Sequence, residues 1–399
     1  MTEFASTSKV QLAYQEEAAY GVVPASGTPQ YLRATGSTLA FDYTMTTSKE
    51  INATAQTPDS VITDATAGGA VPIELSYATY DDFIESLLRS TFTVDDATLT
   101  VGIDHTAGTI TDAGTDGFAD AFVAGQWFYM SGANVGTGNA GLYRIASRTD
   151  DVLTVDASTP LTTTVASAAS TLISSSRISN GVDALRSFCI EQSHTDVTQF
   201  FMNTGRIPSK IDLTFAPGQI LTGSIEFMGA TQTRAAATGF NTTPAAPTSY
   251  GIMNCVTGVG NLLVRNAAGS SILDGATIMQ MSISIDGKLR GQKAIATLGN
   301  AGVGQGTFAM TGSMSIYFAG GTLYDLALAG NLATVMFSAQ DSSHNGYVFN
   351  FANVKCNVPK VPAAQMDQDV MLDVTFTAVA PNTSTDRMIS IDRFGVSLA

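Results

Sequence analysis

Cysteine is scarce in this chain of 399 residues: Cys189, Cys255 and Cys356 are too few and too scattered for a disulfide framework or a zinc site. They read as small buried hydrophobes in a reducing compartment. Histidine is equally thin, and His105, His194 and His344 have no His or Cys at ligand spacing. Only 13% of residues are charged, against about a quarter in an ordinary soluble domain. Thr, Ser, Asn and Gln must therefore supply much of the polar surface, which suits strands and packed interfaces. The charge that exists is one-sided, 34 acids against 19 bases and a net −15. Phosphate binding is driven by Lys and Arg, so this balance disfavours a direct grip on nucleic acid, and a like-charged surface prevents sticking. No apolar run reaches the length of a membrane span, and Met1 to Val10 lacks a basic region followed by an apolar core. The chain is expected to stay in the cytoplasm until something else carries it out.

Catalytic patterns are missing too. There is no Gly-x-Ser-x-Gly elbow and no Walker-type lysine motif. Gly302, Gly304 and Gly306 are wrongly spaced for a dinucleotide loop and read as a flexible loop. Asp112, Asp116 and Asp120 recur at four-residue intervals but lack the alternating ligands and terminal Glu of a calcium loop. No catalytic residue, metal or cofactor is expected, and the chain does not read as an enzyme.

What is present is organised around Ser209 to Met228. Ile211, Leu213 and Phe215 alternate with polar residues up to Pro217-Gly218, and Ile225 and Phe227 resume the alternation. Period-two patterning on both sides of a Pro-Gly turn predicts an antiparallel hairpin with one apolar face. A similar hairpin recurs downstream, with Val374 and Phe376 at an offset of 149 from Ile225 and Phe227. Further upstream, Leu39, Phe41, Asp42, Lys49 and Ile51 precede Ile283, Ile285, Asp286, Lys293 and Ile295 by 244. The chain therefore reads as an internal duplication, and the drop of 95 between the two offsets measures an insertion in the first copy.

In order along the chain, residues 1–36 read as an arm or long loop. Thr38 to Ile51 and Val71 to Tyr77 read as strands, with Thr57 to Gly69 a loop between them. A helix is expected after Thr79 as N-cap, with Phe83, Ile84, Leu87 and Leu88 as its apolar stripe, repeated by Thr322, Leu328 and Leu332. Residues 95–175 change in texture, with nine aspartates, no glutamate and short alternating runs that predict a small all-β barrel or sandwich anchored internally by Trp127. Phe200, Phe201 and Met202 look buried. The expected organisation is a first unit over 1–94 and 176–235, an inserted module over 95–175, a linker over 236–249 and a second unit over 250–399. The tail holding Ile389, Ile391, Phe394 and Val396 can add a strand to its own unit or to a neighbour.

Glu17, Tyr20, Gly21 and Pro24, the strand-helix unit Ile73 to Leu88, and the hairpin ending in Phe227, Met228 and Gly229 resemble the major tail tube proteins of long-tailed, non-contractile bacteriophages. The resemblance covers most of residues 10–94 and 176–230 and, more faintly, 275–380. It implies a mainly β fold of two tandem β-sandwich or barrel domains, each with a flanking α-helix. It also implies rings of the protein stacked into a hollow tube through which DNA passes during ejection. The implied partners are other copies of the chain, a tape measure protein, and tail tip and tail terminator proteins. Family rings usually hold six single-domain subunits, so a doubled chain implies a trimer imitating a hexamer, with a true hexamer as the alternative. Asp42, Asp212, Glu226, Asp286 and Asp373 lie opposite the apolar positions of their strands and are the candidate lumen-facing acids. A tandem β-sandwich adhesin or fibre shares the composition and stands as the alternative function, though it would require an export signal.

Overall fold

The computed structural model describes residues 4–51, 53–93, 97–113, 117–118, 122–132, 134–136, 138–157, 159–266, 268–362, 366–381 and 387–395. Asp116, Asp120 and Val396 lie outside the described residues. Within them the chain is mainly β, with two α-helices, Asp81–Leu88 and Thr322–Leu328.

The central hairpin forms as its alternation dictates. Ile211, Leu213 and Phe215 of the strand Gln199–Phe215 are buried, as are Ile225 and Phe227 of Thr222–Gly229. The strands pair antiparallel across a turn in which Gly218 has φ +72°, a conformation open to glycine without steric cost.

Six strands of the first copy neighbour one another in the order Ala40–Thr47, Ser60–Glu74, Thr222–Gly229, Gln199–Phe215, Phe188–His194, Val10–Glu16, every pair antiparallel. The second copy repeats the order with Ile278–Asp286, Ala309–Tyr317, Met371–Ala378, Gly346–Cys356, Leu332–Gln340 and Val259–Asn266. Register repeats as well. Ile225 faces Val71 and Phe227 faces Gly69 in one copy; Val374 faces Met314 and Phe376 faces Gly312 in the other. A one-residue slip would turn every apolar side chain to the wrong face, so equal registers mean equal cores.

The copies part company after their helices. In the second, Leu328 is followed almost at once by the strand Leu332–Gln340, whereas in the first the chain makes a closed six-stranded barrel between Leu88 and Phe188. The barrel fills its interior with residues such as Phe118, Phe122, Phe128 and Met130. Trp127 is not part of that interior. It is fully buried with Tyr129, Leu142 and Ile173 against Met336, Val348 and Phe394, so it pins the outside of the barrel to the second copy. Asp156 reinforces the contact by bridging Arg144 at 2.9 Å and Arg265 at 3.1 Å.

Several local expectations are corrected. Thr79 does not cap the first helix: Tyr80 holds the N-cap position, while the Thr79 hydroxyl meets those of Ser76 and Thr248. Thr322 is itself helical, and its N–H and hydroxyl donate to Asp274 at 2.9 and 2.6 Å. Leu328 is exposed, the buried side being Leu323, Leu326 and Ala327. The predicted N-terminal arm contains a paired strand, Val10–Glu16, because Leu12, Ala13 and Tyr14 find an apolar bed. The predicted loop over Thr57 to Gly69 is strand from Ser60 onward, and Gly302–Gly304 pairs with Arg290–Gln292. Phe200 and Phe201 are only half-buried. Of the tail, Ser390–Phe394 lies between Gly346–Cys356 and Ser176–Ser179.

Candidate functional site: one polar sheet face across both copies

The two copies share a sheet. Gln199–Phe215 has Thr222–Gly229 on one side and takes Ile278–Asp286 on the other, with Lys210 opposite Asp286, Ile211 opposite Ile285 and Leu213 opposite Ile283. One antiparallel sheet therefore runs from Ala40–Thr47 to the last residues of Gly346–Cys356. Its apolar face is covered by a single core to which both copies and both helices contribute.

Register decides what stands on the opposite face, because directly paired residues point the same way. Asp42 faces Thr66; four residues on and on the same face, Ala70 faces Glu226, which faces Lys210, which faces Asp286. Asp212 faces Ser284, Ser284 faces Thr311, and along that strand Ser315 faces Asp373. All five predicted acids thus stand on one face of one sheet. Thr214, Ser282, Ser313 and Thr375 fill the space between them and line a shallow trough of ≈ 480 Å³.

Charge on this face is partly paired. Lys210 Nζ lies 2.7 Å from Asp212 and 3.4 Å from Glu226, and the hydrogen bond it donates to Asp212 leads the causes that raise its ammonium above the usual lysine range. Lys288 bridges Asp286 at 2.6 Å, and Asp373 accepts a hydrogen bond from the Ser315 hydroxyl. Asp42, on the outermost strand, is exposed. A surface of hydroxyls with sparse acids offers no cluster of cations to a polyanion.

The residues that lock the copies together were not singled out in the sequence. Arg89, at the left-handed C-cap of the first helix with φ 55°, donates to Gly287 O at 2.6 Å and Gly306 O at 3.1 Å in the second copy. At the other end of that helix, Asp81 accepts from Tyr347 at 2.6 Å and pairs with Arg393. Within the first copy, and not across the joint, Arg206 is fully buried, donating to Gly68 O, Ala40 O and Asn203 Oδ1, and burial pushes its guanidinium down to about 10. A charge-poor sequence offers one signal for such residues, an arginine beside a helix end or inside an apolar strand.

Among the described residues no group of three or more His, Cys, Asp or Glu is placed to hold a metal ion, and no helix is long and apolar enough to cross a membrane. Cys189 and Cys356 are buried and Cys255 is half-buried, all three as free thiols. A doubled antiparallel sheet whose first strand, Ala40–Thr47, has one partner among the described residues, and whose polar face is rich in hydroxyls, suits a structural, self-assembling protein. The chain belongs to the phage tail tube protein family, whose model matches residues 7–378. It is accordingly a structural virion protein that assembles with itself into a tube. No curated protein matches the chain.

Proposed function

We propose that three copies of this chain close a ring of six wedge-shaped units, and that rings stack into the hollow tube of a long non-contractile tail. The repeated strand order with equal registers carries this reading, because a closed ring of six equivalent positions can be filled by three doubled chains. In it the units are residues 1–94 with 176–235 and residues 250–399, joined by the linker 236–249, with the module over 95–175 on the outside.

The shared polar face forms the wall of the lumen. Asp42, Asp212, Glu226, Asp286 and Asp373 give that wall a negative bias, and the hydroxyls between them hydrate it. Ejected DNA slides past such a wall without sticking, since phosphate meets repulsion and few cations. Tape measure, tip and terminator proteins are the partners that set length and ends. Assembly precedes release, in the host cytoplasm.

Stacking between rings falls to the hairpin tips. Ile51 and Ile295, separated by the same 244 residues as the strands that lead to them, are both fully exposed. An exposed isoleucine at each of two equivalent tips suits contact with the next ring. Free subunits stay largely unassembled until nucleated, because tip ordering opposes spontaneous association. Native mass measurement of an isolated ring tests the stoichiometry: three chains are expected, and six would remove the pseudo-hexamer.

A further inference from the structure

The joint inside the chain shows what each open end of the sheet lacks. Ile278–Asp286 is covered on its outer side by Gln199–Phe215, whereas among the described residues its counterpart Ala40–Thr47 is paired on one side only. At the far end, the counterpart of residues 210–215 is the segment that continues past Cys356. Asn357 donates its N–H to Thr375 O at 2.9 Å, where in the first copy Lys210 stands opposite Glu226. Residues 358–362 belong to no strand. Apolar side chains are exposed at both ends, Tyr43 and Met45 at one, Val358 and Val361 at the other.

We propose that residues 357–362 of one chain add to the free edge of residues 37–42 of the next, with Asn357 opposite Asp42 and Val358 opposite Phe41. The register copies that of Lys210 with Asp286 and Ile211 with Ile285. The proposal rests on the ring reading above and specifies its chain-to-chain contact. The contact is head-to-tail, the type that closes rings when the rotation permits. It is weaker than the internal joint. Pro359 and Pro362 donate no backbone hydrogen bond, as is usual for guarded edges. Asn357 replaces the lysine that meets Asp286, and the C-cap of the second helix is Ala329, which has no side chain to reach across as Arg89 does. Within the chain the copies are therefore joined permanently, and between chains the edge pairs only when an assembling ring holds it in place.

Disulfide trapping tests the register. Directly opposed strand residues have Cα atoms about 4.5–5.5 Å apart, within reach of a disulfide. Tubes of a Phe41→Cys, Val358→Cys variant are expected to give reducible bands of two and three chains on oxidation, with none from the wild type. Tubes seen by electron microscopy that yield only single-chain bands would overturn this contact and leave the ring reading standing. Failure of the wild type to form any ring or tube even when nucleated by tail tip complexes would overturn both. Val358→Asp, at an exposed position, covers the case of a misfolded double variant. It is expected to keep the wild-type melt and associate roughly tenfold or more weakly, and wild-type assembly by it would overturn the contact.

Discussion

Gly312 lies beneath the ring of Phe376: a Cβ built on the glycine would sit 2.7 Å from Cε2 and 2.8 Å from Cε1 of that ring. The pair occupies the register position that Gly69 and Phe227 hold in the first copy. Each half of the molecule thus pairs a phenylalanine with a glycine at the same register, but only in the second copy does the ring cover the glycine: a Cβ on Gly69 would meet the backbone of Thr38 and Leu39. Gly312→Ala overpacks that seat and is expected to destabilise the fold by about 1–3 kcal/mol, read as a lower midpoint in urea.

The seam between copies depends on Arg89. Arg89→Ala removes a charged donor from Gly287 O and Gly306 O and leaves both carbonyls to find water. A loss of about 1.5–3 kcal/mol is expected. Hydrogen exchange would rise first in residues 281–287 and 306–308, ahead of the barrel.

The barrel is fixed from outside by Trp127. Because that side chain packs on Met336, Val348 and Phe394 and not in the barrel interior, Trp127→Ala is expected to cost about 3–5 kcal/mol. Amides of 336–348 and 390–394 should lose protection while those of 99–104 and 152–155 keep theirs.

Asp81 is a buried carboxylate whose ionised form depends on Arg393. Burial raises its affinity for a proton, and Arg393 and the Tyr347 hydroxyl oppose that. Arg393→Met leaves the charge uncompensated, with an expected loss of about 3–5 kcal/mol near neutral pH. In that variant the folded-state proton affinity of Asp81 lies above its unfolded value of 3.8, so the deficit shrinks as pH falls through the folded value and is gone below the unfolded one. Thermal melts of variant and wild type across pH 3–7 check the sign.

The second-copy loop is held on the first-copy hairpin by Lys293, 2.7 Å from Asp64. The hydrogen bond from Lys293 lowers the Asp64 carboxyl below 3.8. Its stabilisation is therefore complete above the unfolded value and is lost as pH falls through the folded one. Exchange in residues 290–304 is expected to accelerate over that acid range in the wild type and to lose the step in Lys293→Met.

The hairpin and the common face of the five acids were legible from period-two alternation, which Ile211 to Phe227 and Val374 to Phe376 display openly, and the duplication from residue types that recur at offsets of 149 and 244. Val10–Glu16 and Ser60–Glu74 were not. Gln11, Gln15 and Glu16 flank the buried run of the first, and the outer half of the second is exposed on both faces, so neither alternates. Trp127 was legible as a buried anchor, but what it anchors depends on a second copy more than 200 residues away. Helix capping failed at Thr79 because three hydroxyls, its own and those of Ser76 and Thr248, satisfy one another. The lock formed by Arg89 joins residues 198 and 217 apart, and no local pattern encodes such a pair.

A cryo-electron microscopy reconstruction of the assembled wild-type tube tests the central claim most directly. The account predicts three chains per ring in pseudo-sixfold array, with Asp42, Asp212, Glu226, Asp286 and Asp373 all facing the channel. A map that places those carboxylates on the outer wall, or shows six chains in each ring, would contradict it.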